Sequence, residues 1–268
     1  VLYSLVCFIL PLTCRLKDKW VFLLACVLLI QPLPLYYVIR ACLDPSFITP
    51  AIPTRSFWDA TFAVQSHGSF LETVRVNLWE GQIASLAWAW DHGRVFQTAA
   101  LFLLGMLIGR RGLFQKENLK VWNKILAGAL IAFFPLYGLG NMLPAFIVNK
   151  SILTPLSLII TSLSNFSFML VLVSGVIFAF YNTNMHYLLM KITPYGKMSL
   201  TNYITQSIVG SMLYYNWGFA LHNQCGITVS CLAGIAFFIL QFTFCRWWMS
   251  HHSHGPMEYI WKRATWLK

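Results

Sequence analysis

The sequence predicts an all-α, polytopic transmembrane helical bundle, with six complete spans, a partial first span and interfacial helices between Arg40 and Arg94. Three observations carry this. Of 268 residues, 58% are apolar and only 10% are charged, against about 25% charged in an ordinary soluble domain. Apolar runs near membrane length recur along the chain. Aromatic residues reach 16%, with 11 Trp, as expected where rings line a bilayer and its interfaces. The whole of 1–268 reads as a single membrane domain.

Taken in order, Val1–Leu12 is about 18 Å of helix, too short for a hydrocarbon core of about 30 Å. It reads as the second part of a span in a longer chain, since no signal-peptide pattern surrounds it. After the basic turn at Arg15, Lys17 and Lys19, Trp20–Ile39 is the first complete span, with Pro32 and Pro34 placed to kink its far end. Residues 40–94 form a polar, aromatic section, predicted extracytoplasmic. Within it Ser69–Trp90 is weakly amphipathic and reads as one or two interfacial helices.

Val95–Ile108 is the next span, stopped by Arg110 and Arg111. Ile125–Val148 follows, with Pro135, Gly138, Gly140 and Pro144 predicting a bent or broken helix. Leu156–Phe180 is the cleanest run. Ser199 to about Tyr215 and Ile227–Phe244 complete the set, and 246–268 is a basic tail. With this count, the connectors at 14–19, 110–124 and 181–197 and the tail share one side, whose net charge is +11. The other side balances to zero. The positive-inside rule then makes the basic side, and the C-terminus, cytoplasmic in a bacterial inner (plasma) membrane. The excess charge is thereby assigned to orientation, and no nucleic-acid partner is implied.

Polar groups inside apolar helices are the candidates for function, because lipid cannot satisfy them. Asn202, Thr205 and Gln206 share one stretch, with Asn202 and Gln206 one turn apart. They either knit helices together or contact a substrate or lipid. The histidines His67, His92 and His222 fall outside the predicted cytoplasmic side. A transfer reaction can use one as a general base, and Asp91-His92-Gly93-Arg94 is the best local cluster. There His92 and Asp91 are the catalytic candidates and Arg94 is a holder for an anionic substrate. Cap and anchor roles suit the same residues. His251-His252-Ser253-His254 has no Cys or acid placed to complete a metal site, so no metal is implied. Gly196-Lys197 lacks the rest of a phosphate loop, and no cofactor is implied. Cys42 and Cys225 are the cysteines predicted outside, where a disulfide is open to them.

Gly196-Lys197-Met198-Ser199-Leu200-Thr201-Asn202-Tyr203, with Thr205-Gln206-Ser207-Ile208, resembles the signature of the YeiB-like family of bacterial inner-membrane proteins. The tail Gly255-Pro256-Met257-Glu258-Tyr259-Ile260-Trp261 resembles that family's closing motif, with Gly255, Pro256, Glu258 and Trp261 matching directly. His92-Gly93-Arg94 and Phe102–Arg110 resemble its pattern before a central loop. The resemblance makes 110–268 the family's C-terminal region, catalogued as domain of unknown function 418, and implies that an N-terminal third is missing. It assigns Gly196, Gly255, Pro256, Glu258 and Trp261 to a structural motif. Distant similarity to membrane acyltransferases implies transfer of an acyl group to an extracytoplasmic or lipid-linked acceptor. Membrane lipid and an acyl donor or small-molecule substrate are then the partners. A transporter of a small or lipid-like solute, and a non-catalytic assembly protein, are the competing readings.

Overall fold

A computed structural model describes residues 2–50 and 54–266. Its described residues are helical or irregular throughout, and the chain divides into two units, Val1–Trp58 with Gly81–Tyr181 and Asp59–Glu80 with Asn182–Lys268.

The span count differs from the expectation. Among the described residues, three helices are long and apolar enough to cross a membrane: Lys116–Phe146, Lys150–Tyr181 and Ile227–His251. The number rises to five if each of two bent pairs is one span. Six complete spans and a partial one are therefore not what the chain builds. The predicted Trp20–Ile39 span is two helices, Asp18–Leu29 and Pro32–Leu43, bent by 51°. Gln31 between them sits at φ 62°, and Pro32 cannot supply the amide that would continue the ladder. Val95–Ile108 lies in Arg94–Arg110, which is joined to Phe70–Asp91 by a sharp break at His92-Gly93. Ser199–Tyr214 has 16 residues, about 24 Å against a core of about 30 Å, and its first half carries Ser199, Thr201, Asn202, Thr205 and Gln206. It is too short and too polar to count. Without that crossing, strict alternation no longer returns the tail to the side of 110–124. The side of the tail then rests on its own basic residues. Leu2–Thr13 remains a short apolar segment.

Ile125–Val148 also departs from expectation. It is one continuous helix, Leu119–Phe146, with Pro135 and Pro144 inside it. The breaks occur at Gly93 and at Gln31, the latter beside Pro32 where a kink is expected, and at both the backbone turns left-handed.

In the first unit, Asp18–Leu29 packs along Arg94–Arg110. Val21, Ala25, Leu103 and Leu107 form the buried seam, with Leu24, Leu28 and Met106 against it. Small Ala25, Ala99 and Ala100 let the backbones approach. Asp18 pins one end of the pair through Arg110 at 3.2 Å and Arg111 at 3.0 Å. Leu119–Phe146 and Pro32–Leu43 both pack on Lys150–Tyr181, whose buried side includes Ser162, Ser164, Ser167 and Ser174.

In the second unit, Phe70–Leu78 starts at a capping box between Ser69 and Glu72. Asn216 donates its amide to Gln65 O at 3.0 Å, and Phe70 meets the Trp217 ring edge-on at 5.0 Å. Ile227–His251 is patterned inside out. Its buried residues are Gln241 and Cys245, while Leu232, Ile239 and Leu240 are 57–68% exposed. A helix that buries its polar residues and exposes its apolar ones suits a lipid environment.

Candidate functional site

The two helix breaks of the first unit meet at one polar point. Gln31, 1% exposed, donates Nε2–H to Ser162 Oγ at 3.0 Å. Gln97 donates Nε2–H to Ser162 O at 3.4 Å, and Arg94 donates to Gln97 Oε1 at 2.8 Å. Gly93 lies directly against the Gln31 amide. A Cβ there would come within 2.2 Å of Gln31 Oε1, and the residue sits at φ +64°. Only glycine meets both conditions without strain. Gln31 Oε1 itself is buried with no hydrogen-bond donor among the described residues. Burying such an acceptor unpaired costs about 1–3 kcal/mol, so this is a site that stability alone does not explain.

Beside the second break is a cavity of about 540 Å³. Asp91, His92 and Lys150 bring charge and proton-transfer chemistry to its wall, and Tyr37, Trp90 and Leu158 bring apolar surface. His92 Nδ1 lies 3.0 Å from Trp88 O, and its ring stacks on Trp88 at 4.9 Å. A carbonyl oxygen can only accept, so the neutral ring carries its proton on Nδ1. Nε2 is left with its lone pair free. Arg94 does not line this cavity; its guanidinium lies 5.7 Å from the Trp88 ring centroid and bonds Gln97.

The second unit holds the other sequence candidates; there Asn202, Thr205 and Gln206 each have partners among the described residues, whereas His222 Nε2 and Trp217 Nε1 are buried without one. Asn202, 4% exposed, donates to Tyr195 O at 3.0 Å and accepts from Cys245 Sγ at 3.2 Å. Gln241 donates to Thr205 Oγ1 at 2.7 Å and to Asn202 O at 3.2 Å. Its Oε1 accepts from Gln206 Nε2 at 2.9 Å and from Tyr195 OH at 3.4 Å. Thus Asn202, Thr205 and Gln206 are gathered around Gln241, joining Thr183–Lys197, Ser199–Tyr214 and Ile227–His251.

The two sequence motifs of this unit meet in a clasp. Met198, at the start of Ser199–Tyr214, offers no capping side chain. Glu258 does it from a distance, accepting from Leu200 N at 2.7 Å, Thr201 N at 3.0 Å and Thr201 Oγ1 at 2.5 Å. Thr201 Oγ1 in turn accepts from Met257 N at 3.1 Å. Gly255 leaves room for this carboxylate, because a Cβ would fall 2.2 Å from Glu258 Oε2. Pro256 opens the last helix, where its missing amide costs nothing. Burial pushes the Glu258 pKa up, but the hydrogen bonds from Thr201 and Leu200 outweigh it and hold the carboxyl below its usual range. Gly196 and Trp261 stand apart from the clasp. Gly196 has open space around it, and Trp261 is 68% exposed.

Gln31 and Gln241, the centres of the two networks, are the residues that sequence reasoning passed over. The signals were present: Gln31 precedes a proline inside an apolar run, and Gln241 is the one amide in an apolar helix of 25 residues. All seven cysteines, Cys42 and Cys225 included, are free thiols.

Comparison with known proteins places the chain in a family, by a match that begins after Gln31 and the Asp91–Gln97 stretch. The family described as "Protein of unknown function (DUF418)" matches residues 108–268. The uncharacterized protein YxaH of Bacillus subtilis is 30% identical over 95 residues, covering 35% of this chain and 24% of YxaH. An uncharacterized 39.9 kDa protein of Bacillus acidopullulyticus is 32% identical over 78 residues, 29% of this chain and 22% of that one. The uncharacterized protein YeiB of Escherichia coli is 29% identical over 83 residues, 29% of this chain and 20% of YeiB. The matched stretches thus span about a quarter of these relatives' length or less. No solved structure matches.

Proposed function

The chain belongs to the DUF418 family, and from that premise we propose that it is a membrane-embedded transferase. It moves an acyl group from a donor to a hydroxyl on an extracytoplasmic or lipid-linked acceptor. The observation that carries the proposal is the His92 ring, fixed by Trp88 O with Nε2 free at the wall of a cavity that also bears Asp91 and Lys150. The acceptor hydroxyl gives its proton to Nε2 while its oxygen bonds to the acyl carbonyl carbon. The bond from that carbon to the donor's sulfur or oxygen then breaks, and the imidazolium returns the proton to the leaving atom. Asp91 supplies negative charge near the imidazolium, and Lys150 supplies positive charge for the developing oxyanion. Arg94 acts by setting the break through Gln97.

The full-length protein in lipid nanodiscs, given radiolabelled acetyl-CoA and a bacterial lipid extract, should label an acceptor. His92→Ala should lower that rate by about 10²–10⁴-fold with unchanged thermal unfolding. Equal rates in variant and wild type would sink the assignment.

A transport reading has its own support, the two broken helices meeting at the unpaired Gln31 oxygen. Broken helices in transporters expose backbone groups to a solute. Solute uptake by proteoliposomes without any labelled product would favour it. The three long apolar helices suit a bilayer, and we place the protein in a bacterial plasma membrane. The tail's Arg246, Lys262, Arg263 and Lys268 support a cytoplasmic C-terminus, which a reporter fused there reads directly.

A further inference from the structure

Pro256–Trp266 carries a feature that neither the transfer chemistry nor the clasp uses. Tyr259, Lys262, Arg263 and Trp266 recur at the spacing of one helix face, and with Ser253 and His254 they line a cleft of about 660 Å³. The Lys262 ammonium donates to His254 Nε2 at 3.2 Å, and Ser253 Oγ lies 2.7 Å from His254 Nδ1. One of the ammonium's three donors is thereby committed and two are free. Among the described residues, Arg263 has no carboxylate partner and no acid lines the cleft. Glu258, the acid of this helix, is turned to Leu200 and Thr201. The cleft therefore presents two uncompensated cations between two aromatic rings.

Its surroundings narrow the ligand. Ile227–His251, one of the helices able to cross a membrane, ends with Arg246, Trp247 and Trp248 in its last turns. The four residues 252–255 then reach at most about 14 Å, so Pro256–Trp266 begins within reach of the headgroup layer at that helix's exit. Ile260 and Trp261, on another side of the same helix, are 58% and 68% exposed. Apolar residues on one side and cations on the other are the pattern of a helix lying in the bilayer interface.

We propose that the Tyr259–Lys262–Arg263–Trp266 cleft binds the phosphate of an anionic membrane-lipid headgroup. Arg263 meets phosphate oxygens with its paired N–H groups, Lys262 adds its free donors, and the rings of Tyr259 and Trp266 cover the glycerol region. The anionic headgroup balances the charge that the cleft leaves open.

The test uses the full chain in dodecyl maltoside, titrated with phosphatidylglycerol or phosphatidylcholine and read by native mass spectrometry. Phosphatidylglycerol should bind more tightly than phosphatidylcholine. The double variant Lys262→Ala/Arg263→Ala should bind it about 30-fold more weakly, each cation near a membrane surface contributing about fivefold. Lys262→Arg/Arg263→Lys, which keeps the charge, should restore most of the binding. Unchanged thermal unfolding without lipid separates this loss from misfolding. Equal affinity in wild type and double variant, or displacement of the lipid by millimolar inorganic phosphate, would overturn the proposal.

Discussion

The break around Gln31 and the clasp around Glu258 are built from the same kinds of groups, yet they end differently. In the clasp and the adjoining Gln241 network, each buried donor and acceptor finds a partner among the described residues. At the break, Gln31 Oε1 is sealed against Gly93 with none, two residues hold left-handed backbone, and a cavity with His92 opens alongside. Satisfied buried networks rigidify a fold, whereas unsatisfied groups and strain are retained where something else requires them. The contrast supports the proposed division, function at the break and stability at the clasp.

The contrast can be broken by substitution. Gly93→Ala should have the largest effect, about 3 kcal/mol of destabilisation, because it adds left-handed strain to a collision with the Gln31 amide. Thermal unfolding in detergent reads this, and shortening the opposing side chain in Gln31→Ala/Gly93→Ala should recover part of it. If the double variant is no better than the single, the contact is not the cause.

Glu258→Gln should cost about 2 kcal/mol, the scale of hydrogen bonds to a charged group. Its pH dependence has a definite sign. The folded pKa lies below the unfolded value of about 4.3, so the contribution is present above that value and is lost as pH falls through the folded pKa. The gap between wild type and Glu258→Gln should therefore be full at pH 6 and close at lower pH. A gap that widened on acidification would contradict the clasp.

Gln241→Leu should cost about 1 kcal/mol, as interhelical polar contacts in membranes do, and leave label transfer by the folded protein unchanged. Loss of transfer at full stability would return Asn202 and Gln206 to the chemistry.

Composition and run length predicted the all-α character and the long apolar helices, because a segment such as Ile227–His251 has few polar groups. The motifs at Gly196–Ile208 and Gly255–Trp261 were legible as motifs, and so was the Asp91–Arg94 cluster. What they do was not. Whether a proline bends a helix depends on neighbours. Pro135 is accommodated within one continuous helix, whereas Pro32 follows a residue pulled into left-handed backbone while the Gln31 side-chain amide bonds Ser162, which lies 131 residues away. Glu258 reads from the sequence as part of a structural motif, and only the fold brings its carboxylate 2.7 Å from Leu200 N. The sequence by itself determined which segments are apolar and where charge collects, since these are local sums over side chains. Tertiary structure decided the number of helices that can cross, the partners of the buried amides and which buried acceptors, Gln31 Oε1 among them, are left without any among the described residues, since those depend on contacts between residues far apart in the chain.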